Sequence, residues 1–294
     1  MNNSILLVGT VSNVAHSIEK ELKTVLDALS IFDSVQVHLI ESDSTDLTVA
    51  KLESIRKLNN FFSYESLGSL KNDIPSRIER LRFCRNRYVY FIRKNHENIS
   101  WTHIAVADLD GMNKKLSKRA IGSCFSNELI WDGVMANQKN GYYDLLALRC
   151  SNWIEYDVLN LVNENKAVRP NIKASVFKII TFIRLFHHYD KNRQLAIYNE
   201  MRIIPTHSNW IKVLSAFGGF AIYKTQLFLD NNYDRRDDGE SKIDHVDFNL
   251  KCIDGGASFY INPMLLNSNW NIHNINRIKL IRFLKELKKF YLKK

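Results

Sequence analysis

Residues 103–113 read HIAVADLDGMN, an apolar run that ends in two aspartates one residue apart. The apolar residues predict a buried strand, and Asp108 and Asp110 follow at its carboxyl end. A hard divalent cation prefers oxygen ligands and accepts diphosphate oxygens in its remaining positions. In open α/β sheets the ligand crevice lies at the carboxyl ends of the strands. The stretch therefore predicts a site for Mn²⁺ or Mg²⁺ with a nucleotide diphosphate, whereas an isolated Asp-x-Asp is usually a solvated turn.

The segments before this stretch alternate between strand and helix patterns. Residues 5–9 and 35–40 are short apolar runs typical of strands, and residues 60–64 make a plausible third strand. Apolar residues at helical spacing occupy residues 12–32 and a second segment through Leu58. This β-α-β-α-β order predicts a mostly parallel sheet with right-handed crossovers.

Polar residues at 41–46, ESDSTD, follow the second predicted strand. Carboxylates in this position can bind a nucleoside, so Glu41 and Asp43 are candidate donor-binding residues. The alternative is that Ser44, Thr45 or Asp46 caps the next helix. The two roles are compatible, and the sequence leaves both open.

The helix predicted at residues 75–95 is rich in arginine. Arginine suits bidentate phosphate contacts, which makes Arg77, Arg80 and Arg85 candidates for binding a diphosphate. A charged helix face is usually a solvated face, and the spacing does not select one arginine over another.

Three later segments carry polar or glycine signals. Strands are predicted at 131–138 and 141–149, where Asn137, Gln138 and Asp144 either line a sugar pocket or border a packed sheet. Gly218 and Gly219 precede another strand and permit close approach of backbone to a ligand. A helix then begins near Asp244, and a last strand is predicted at 257–262.

Composition limits the class of protein. The chain has 294 residues, 45% of them apolar, which is enough for one large α/β domain or two modest ones. Its four cysteines lack metal-type spacing and fit a reducing compartment. No signal peptide or apolar run of about 20 residues is evident, so we expect a cytoplasmic protein. The net charge is +10, of which residues 277–294 carry +7. The remaining +3 argues against a nucleic-acid partner.

Residues 277–294 also place apolar residues at steps of three and four between their cations. This pattern predicts a basic amphipathic helix that lies on the inner face of a membrane, attracted by anionic lipids. The alternative is a C-terminal helix packed on the domain with a solvated basic face.

Taken together, these segments resemble a GT-A-type glycosyltransferase and are similar to the fungal capsule-associated α-1,3-mannosyltransferase family and its bacterial relatives. The resemblance covers most of residues 5–265 and rests on the following segments: 41–46, 77–87, 108–112, 131–138, 142–149, 215–223 and 244–247. It implies a GT-A-like (Rossmann-like) mixed, mostly parallel sheet flanked by helices. The domain would span 1–265, with a variable acceptor-side insertion at 158–205 and a tail at 266–294.

The resemblance also implies roles for individual residues. Asp108 and Asp110 would bind the metal, and His273 would complete its site. Asp244 and Asp247 would be the catalytic acidic residues, with Asp244 the candidate base of an inverting enzyme. The candidate donor-binding set is Glu41, Asp43, Arg77, Arg80, Arg85, Asp108, Asn137, Gly218 and Gly219. The expected activity is transfer of a hexose, mannose among the candidates, from a GDP- or UDP-sugar to a glycan. The acceptor would be a lipid-linked surface glycan, such as O-antigen or capsule.

Two other functions remain compatible with parts of the sequence. A nucleotidyltransferase acting on sugar phosphates would pair a similar fold with an acidic metal site, but would need a glycine-rich, cationic loop after the first strand. Residues 9–13, GTVSN, contain one glycine and no cation. A non-catalytic protein that binds polyanions or membranes would account for the tail, but not for Asp108 and Asp110.

Overall fold

An eight-stranded sheet with helices on both faces forms the centre of the computed structural model, which describes residues 3–126, 128–160, 197–236, 243–271 and 274. In chain order its elements are β1 (Ser4–Val11), α1 (Ile18–Leu29), β2 (Ser34–Glu41), α2 (Thr48–Leu58), β3 (Phe62–Ser66), α3 (Arg77–Asn95), β4 (His103–Ala107), α4 (Lys118–Gly122), β5 (Gly133–Gln138), β6 (Ile211–Val213), β7 (Phe220–Lys224), α5 (Gln226–Asp230), α6 (Asp244–Asp254) and β8 (Phe259–Ser268).

The strand order is β3-β2-β1-β4-β7-β5-β8-β6. Strands β1 to β4 are parallel to one another, and β5 is parallel to β8. Strand β7 lies antiparallel between β4 and β5, with Phe220 opposite Ala107. The start of β7 therefore lies beside the carboxyl end of β4. The predicted α/β class, with a mixed and mostly parallel sheet, is confirmed.

Apolar side chains cover both faces of the sheet. Residues of a strand point alternately to opposite faces, so Leu6 and Val8 of β1 pack with α3 on one side. Ile5 and Leu7 pack with α1 on the other. Burial on both faces explains why β1 is a continuous apolar run rather than an alternating one.

The strand predicted at residues 131–138 is present as β5, but the prediction of a strand at residues 141–149 is wrong. Residues 141–149 form turns, and only Arg149 and Cys150 make isolated bridges. Gly141 has a φ of 124°, and Tyr142, Leu145 and Leu148 are fully buried without a strand ladder. The strand-like apolar pattern of this segment therefore reflects a loop whose side chains pack in the core.

Other predicted bounds shift by a few residues. A helix is also predicted at residues 115–125, and α4 is shorter than that; it begins after Ser117, whose Oγ accepts from the Ala120 N–H at 3.2 Å. Strand β3 begins two residues later than predicted, and β8 continues to Ser268. Most of the predicted insertion (161–196) and the tail helix (275–294) lie outside the described residues. Within the described residues, no helix has both the length and the apolar character needed to cross a membrane.

Candidate active site

A cavity of about 580 Å³ opens where β1, β2 and β4 end and β7 begins. The sequence-predicted residues that line it are Asp43, Arg77, Arg80, Arg85, Asp108, Asp110, Asp144 and Asp244. The cavity lining does not include Glu41, Asn137, Gly218, Gly219 or Asp247. His273 lies outside the described residues. The structure thus brings together the aspartate pair and the arginines of α3, as the sequence predicts.

Asp108 and Asp110 keep their carboxylates free. Among the described residues, neither side chain makes a hydrogen bond or an ion pair, and Asp110 is exposed to the cavity. Burial, followed by the charges of Asp110, Asp144 and Asp244, raises the pKa of Asp108 to about 7, although Arg85 works to lower it. Carboxylates crowded in this way are stabilised when a cation binds between them.

This donor set fits a divalent cation. Two carboxylates with free oxygens at the mouth of a cavity are ligands that Mn²⁺ or Mg²⁺ accepts. Within the described residues, no group of three or more His, Cys, Asp or Glu side chains could hold a metal. The remaining ligands would therefore be substrate oxygens, water or a residue outside the described ranges.

The two glycines shape the backbone beside Asp108 rather than line the cavity. The Asp108 N–H donates to the Gly219 carbonyl at 3.0 Å. Gly218 and Gly219 have φ values of 71° and 81°, where a side chain is strained. A Cβ at Gly218 would lie 2.7 Å from the Ala136 carbonyl oxygen, and one at Gly219 would lie 2.9 Å from the Tyr143 hydroxyl. The backbone at these glycines therefore approaches other atoms of the protein closely, and not a ligand as predicted.

A network of buried amides holds the loop after β4. The Asn267 side chain donates to the Gly218 carbonyl at 2.8 Å and to Asn113 Oδ1 at 3.1 Å, and accepts from Gln138 Nε2 at 3.0 Å. Asn113 in turn donates to the Asp108 carbonyl at 2.6 Å. Its N–H donates to Glu21 Oε1 at 2.7 Å, and burial raises the pKa of Glu21. The sequence reasoning missed this network, and the asparagines carry no spacing signal that could have found it.

The arginines of α3 differ in the hydrogen bonds and ion pairs that their guanidinium groups already make. Arg80 lies 3.2 Å from Asp43 and donates to the carbonyls of Ile74 and Pro75. Arg85 is buried in an ion pair with Asp244. Arg77 is exposed, lines the cavity and makes no hydrogen bond or ion pair with the described residues. Arg77 is therefore the predicted phosphate ligand whose guanidinium is available.

The two predicted catalytic acids are both engaged by arginines. Burial acts to raise the pKa of Asp244, but Arg85 and His245 hold it below its ordinary value, and its carboxylate is engaged by the Arg85 guanidinium. Asp247 is buried outside the cavity lining, 2.8 Å from the Arg82 guanidinium, and burial raises its pKa. Both acids fix α6 against α3, because each neutralises a buried arginine.

Two other predicted donor-binding residues stabilise backbone instead. Glu41 is buried and accepts from the Ser44 N–H at 3.0 Å and from the Ser66 hydroxyl at 2.5 Å. Asn137 donates to the carbonyls of Ile204 and Pro263. Glu41 thereby orders the turn that presents Asp43 to the cavity.

No family model matches the chain, and no curated protein matches it. Among solved structures it is similar to the mannosyltransferase PcManGT from Pyrobaculum calidifontis in complex with GDP-Man and Mn²⁺, at 12% identity and a TM-score of 0.48 over 90% of this chain and 56% of that one. TarS from S. aureus gives 13% identity and a TM-score of 0.42 over 88% of this chain and 57% of that one. Glucosyl-3-phosphoglycerate synthase from Mycobacterium tuberculosis, in complex with UDP, gives 13% identity and a TM-score of 0.37 over 91% of this chain and 69% of that one. The chain thus spans little more than half the length of the first two.

Proposed function

We propose that the protein is a metal-dependent glycosyltransferase that moves a sugar from a nucleotide-sugar donor to a glycan acceptor. The observation that carries the proposal is the cavity in which Asp108, Asp110 and Arg77 share the lining, with no hydrogen bond or ion pair from their side chains to any described residue. A carboxylate pair that can hold a cation, together with a free guanidinium, is suited to bind a diphosphate.

In this reaction the protein contributes by positioning the reactants and by stabilising the charge that develops on the leaving group. A cation held by Asp108 and Asp110 would supply positive charge that stabilises the departing nucleoside diphosphate. Arg77 would add a second positive contact to the same leaving group. Arg85, fixed by Asp244, keeps a buried positive charge beside Asp108. The walls of the cavity orient the acceptor hydroxyl toward the sugar.

The donor is proposed to be a GDP- or UDP-sugar. The cavity lining from Thr10, Ser12, Ser42 and Asp43 supplies hydroxyls and one carboxylate that can meet a base and a ribose. We assign the diphosphate contact to Arg77, and we assign Arg80 to support Asp43, because that ion pair fixes the turn after β2.

The acceptor is proposed to be a lipid-linked surface glycan, as in O-antigen or capsule assembly, with a hexose, and mannose in particular, as the transferred sugar. Apolar lining from Leu145, Leu146, Ile197, Met201 and Ile243 supports an acceptor with apolar surface. The basic pattern of residues 277–294 supports attachment to the inner face of a membrane.

Titration calorimetry tests the donor and cation assignments together. We expect GDP or UDP to bind only with Mn²⁺ or Mg²⁺ present, and Asp110→Ala to abolish that binding while the fold is kept. Asp27→Ala, an exposed aspartate of α1 outside the cavity, serves as the matched control and should bind as the parent does.

A screen of UDP-, GDP- and CMP-sugars, read as metal-dependent hydrolysis and transfer, then identifies the donor. Release of pyrophosphate from a nucleoside triphosphate and a sugar phosphate would instead indicate a nucleotidyltransferase. Binding of polyanions without any nucleotide binding would indicate a non-catalytic protein. Either result contradicts the proposal.

A further inference from the structure

His245 lies in the first turn of α6 and lines the cavity, although it is only 4% exposed. Its ring stacks on Phe217 with 4.0 Å between centroids, and Tyr233 approaches it edge-on at 5.7 Å. Neither Nδ1 nor Nε2 has a hydrogen-bond partner among the described residues. A polar ring held rigidly at a cavity wall without a partner is available to a ligand.

Another buried histidine, His38, also lacks a hydrogen-bond partner at Nε2, but its Nδ1 has one, whereas both ring nitrogens of His245 lack one among the described residues. His38 lies on β2 away from the cavity and stacks on Phe91 with 3.6 Å between centroids. Its Nδ1 is 2.9 Å from the Ser63 hydroxyl. A buried polar group without a hydrogen bond costs stability, and in His245 both ring nitrogens lack a partner among the described residues at the wall of a cavity that a ligand can enter.

Three groups face the ring of His245. They are Arg85 from α3, Asp244 beside it on α6, and the ring of Tyr233 from the loop after α5. Burial first, then Arg85, lower the pKa of His245 well below its ordinary value, while Asp244 opposes them. Asp244 itself is committed to Arg85. The ring nitrogens of His245, by contrast, have no hydrogen-bond partner among the described residues.

We propose that His245 is the catalytic residue that receives the proton of the acceptor hydroxyl. This rests on the proposed glycosyltransferase function. The acceptor oxygen forms a bond to the anomeric carbon of the donor sugar as the bond from that carbon to the diphosphate oxygen breaks. The electron pair of the broken bond leaves on the nucleoside diphosphate. The hydroxyl proton passes to a ring nitrogen of His245 and then to solvent, and the negative charge of Asp244 stabilises the imidazolium.

A base-assisted direct displacement inverts the anomeric centre. The proposal therefore replaces Asp244 with its neighbour as the proton acceptor and predicts an inverting enzyme. Retention of the anomeric configuration would instead exclude His245 as the base of a direct displacement. The stereochemistry of the product therefore tests the role of His245.

The test compares His245→Gln and His245→Ala with His38→Gln and His38→Ala, all in the full-length chain. Transfer rates are measured against pH, and nucleoside diphosphate affinity is measured by calorimetry with Mn²⁺. We expect the His245 variants to lose about 10²–10⁴-fold in kcat with nearly unchanged nucleotide affinity, as for loss of a general base. Added imidazole should restore part of the rate to His245→Ala but none to His38→Ala. NMR of the parent's product should show the inverted anomer.

The outcomes separate this inference from the function on which it rests. If the parent binds nucleotide with Mn²⁺ and transfers sugar, a His245→Gln rate equal to the parent's, or a retained anomer, overturns the role of His245 alone. If His245→Gln fails to fold, the imidazole experiment on His245→Ala decides, and absence of rescue overturns the role. Failure of the parent to bind any nucleotide with a cation overturns both.

Discussion

Asn267→Ala tests whether the buried amide network sets the geometry of the cation site. The substitution removes donors to the Gly218 carbonyl and to Asn113 Oδ1 and an acceptor for Gln138 Nε2. Gln138 Nε2 still donates to the Gly218 carbonyl at 2.9 Å, so Asn113 Oδ1 is the group that loses its donor. An orphaned buried acceptor costs about 1–3 kcal/mol, and the small cavity costs about 1 kcal/mol more. We expect a loss of roughly 2–4 kcal/mol in the free energy of unfolding.

The expected effect on cation binding follows from the hydrogen bond between the Asn113 side chain and the loop after β4. Because Asn113 also binds the Asp108 carbonyl, its release loosens the loop that carries both carboxylates. We expect the Mn²⁺ concentration for half-maximal nucleotide binding to rise by about tenfold, the equivalent of about 1.4 kcal/mol. The assay is a calorimetric Mn²⁺ titration with nucleoside diphosphate present, paired with denaturant unfolding.

Asn262→Ala is the matched control. Asn262 lies on the same strand, is equally buried, and donates to the Ser123 hydroxyl at 2.9 Å, away from the cavity. It should lose comparable stability with an unchanged Mn²⁺ requirement. An equal rise in both variants, or no rise in Asn267→Ala, would refute the reasoning, because the effect would then be general destabilisation or absent.

Three further predictions address charge. Arg77→Ala should weaken nucleoside diphosphate binding by about 1.5–3 kcal/mol, the usual value for a hydrogen bond to a charged group. The unfolding midpoint should stay unchanged. Equal binding of the variant and the parent in calorimetry would show that another cationic side chain contacts the phosphate. The pKa of Asp108 is raised to about 7 from 3.8, so without a cation the parent should lose stability as pH rises through 7. Asp108→Asn should remove that loss in melting curves at pH 5 and pH 8, and Mn²⁺ should stabilise only the parent. Deleting residues 277–294 should abolish sedimentation with anionic liposomes but spare transfer to a short soluble acceptor; unchanged sedimentation would return the tail to a packing role.

Local patterns were sufficient for the first half of the fold. The apolar run before Asp108 and the two preceding β-α units each depend on neighbours a few residues apart, so their order and the parallel pairing could be predicted. The placement of Asp108 and Asp110 at a cavity followed from strand direction alone. The turn segment at 141–149 could not be recognised, because buried aromatic and aliphatic residues look the same in a strand and in a packed loop.

Long-range pairing is what the sequence did not reveal. Arg85 meets Asp244 across 159 positions, and Asn267 meets Asn113 across 154. The insertion of β7 between β4 and β5 brings residues about 115 positions apart into register, with Ala107 opposite Phe220. Residue type marks Asp244 as acidic, but only the fold shows that it pairs with an arginine, while the ring nitrogens of His245 have no hydrogen-bond partner among the described residues.

The two ion pairs between α3 and α6 have a consequence for the order of folding. Arg85 is buried against Asp244, and Arg82, which also pairs with Glu79, is buried against Asp247; both aspartates are synthesised more than 150 positions later. Burial of an unpaired guanidinium is strongly unfavourable, so this face of α3 must stay hydrated until α6 has formed. A fragment of residues 1–236 should therefore be cut by protease within α3, where the full chain resists. During synthesis the cavity wall would be completed near the end, after the strands that support it have paired.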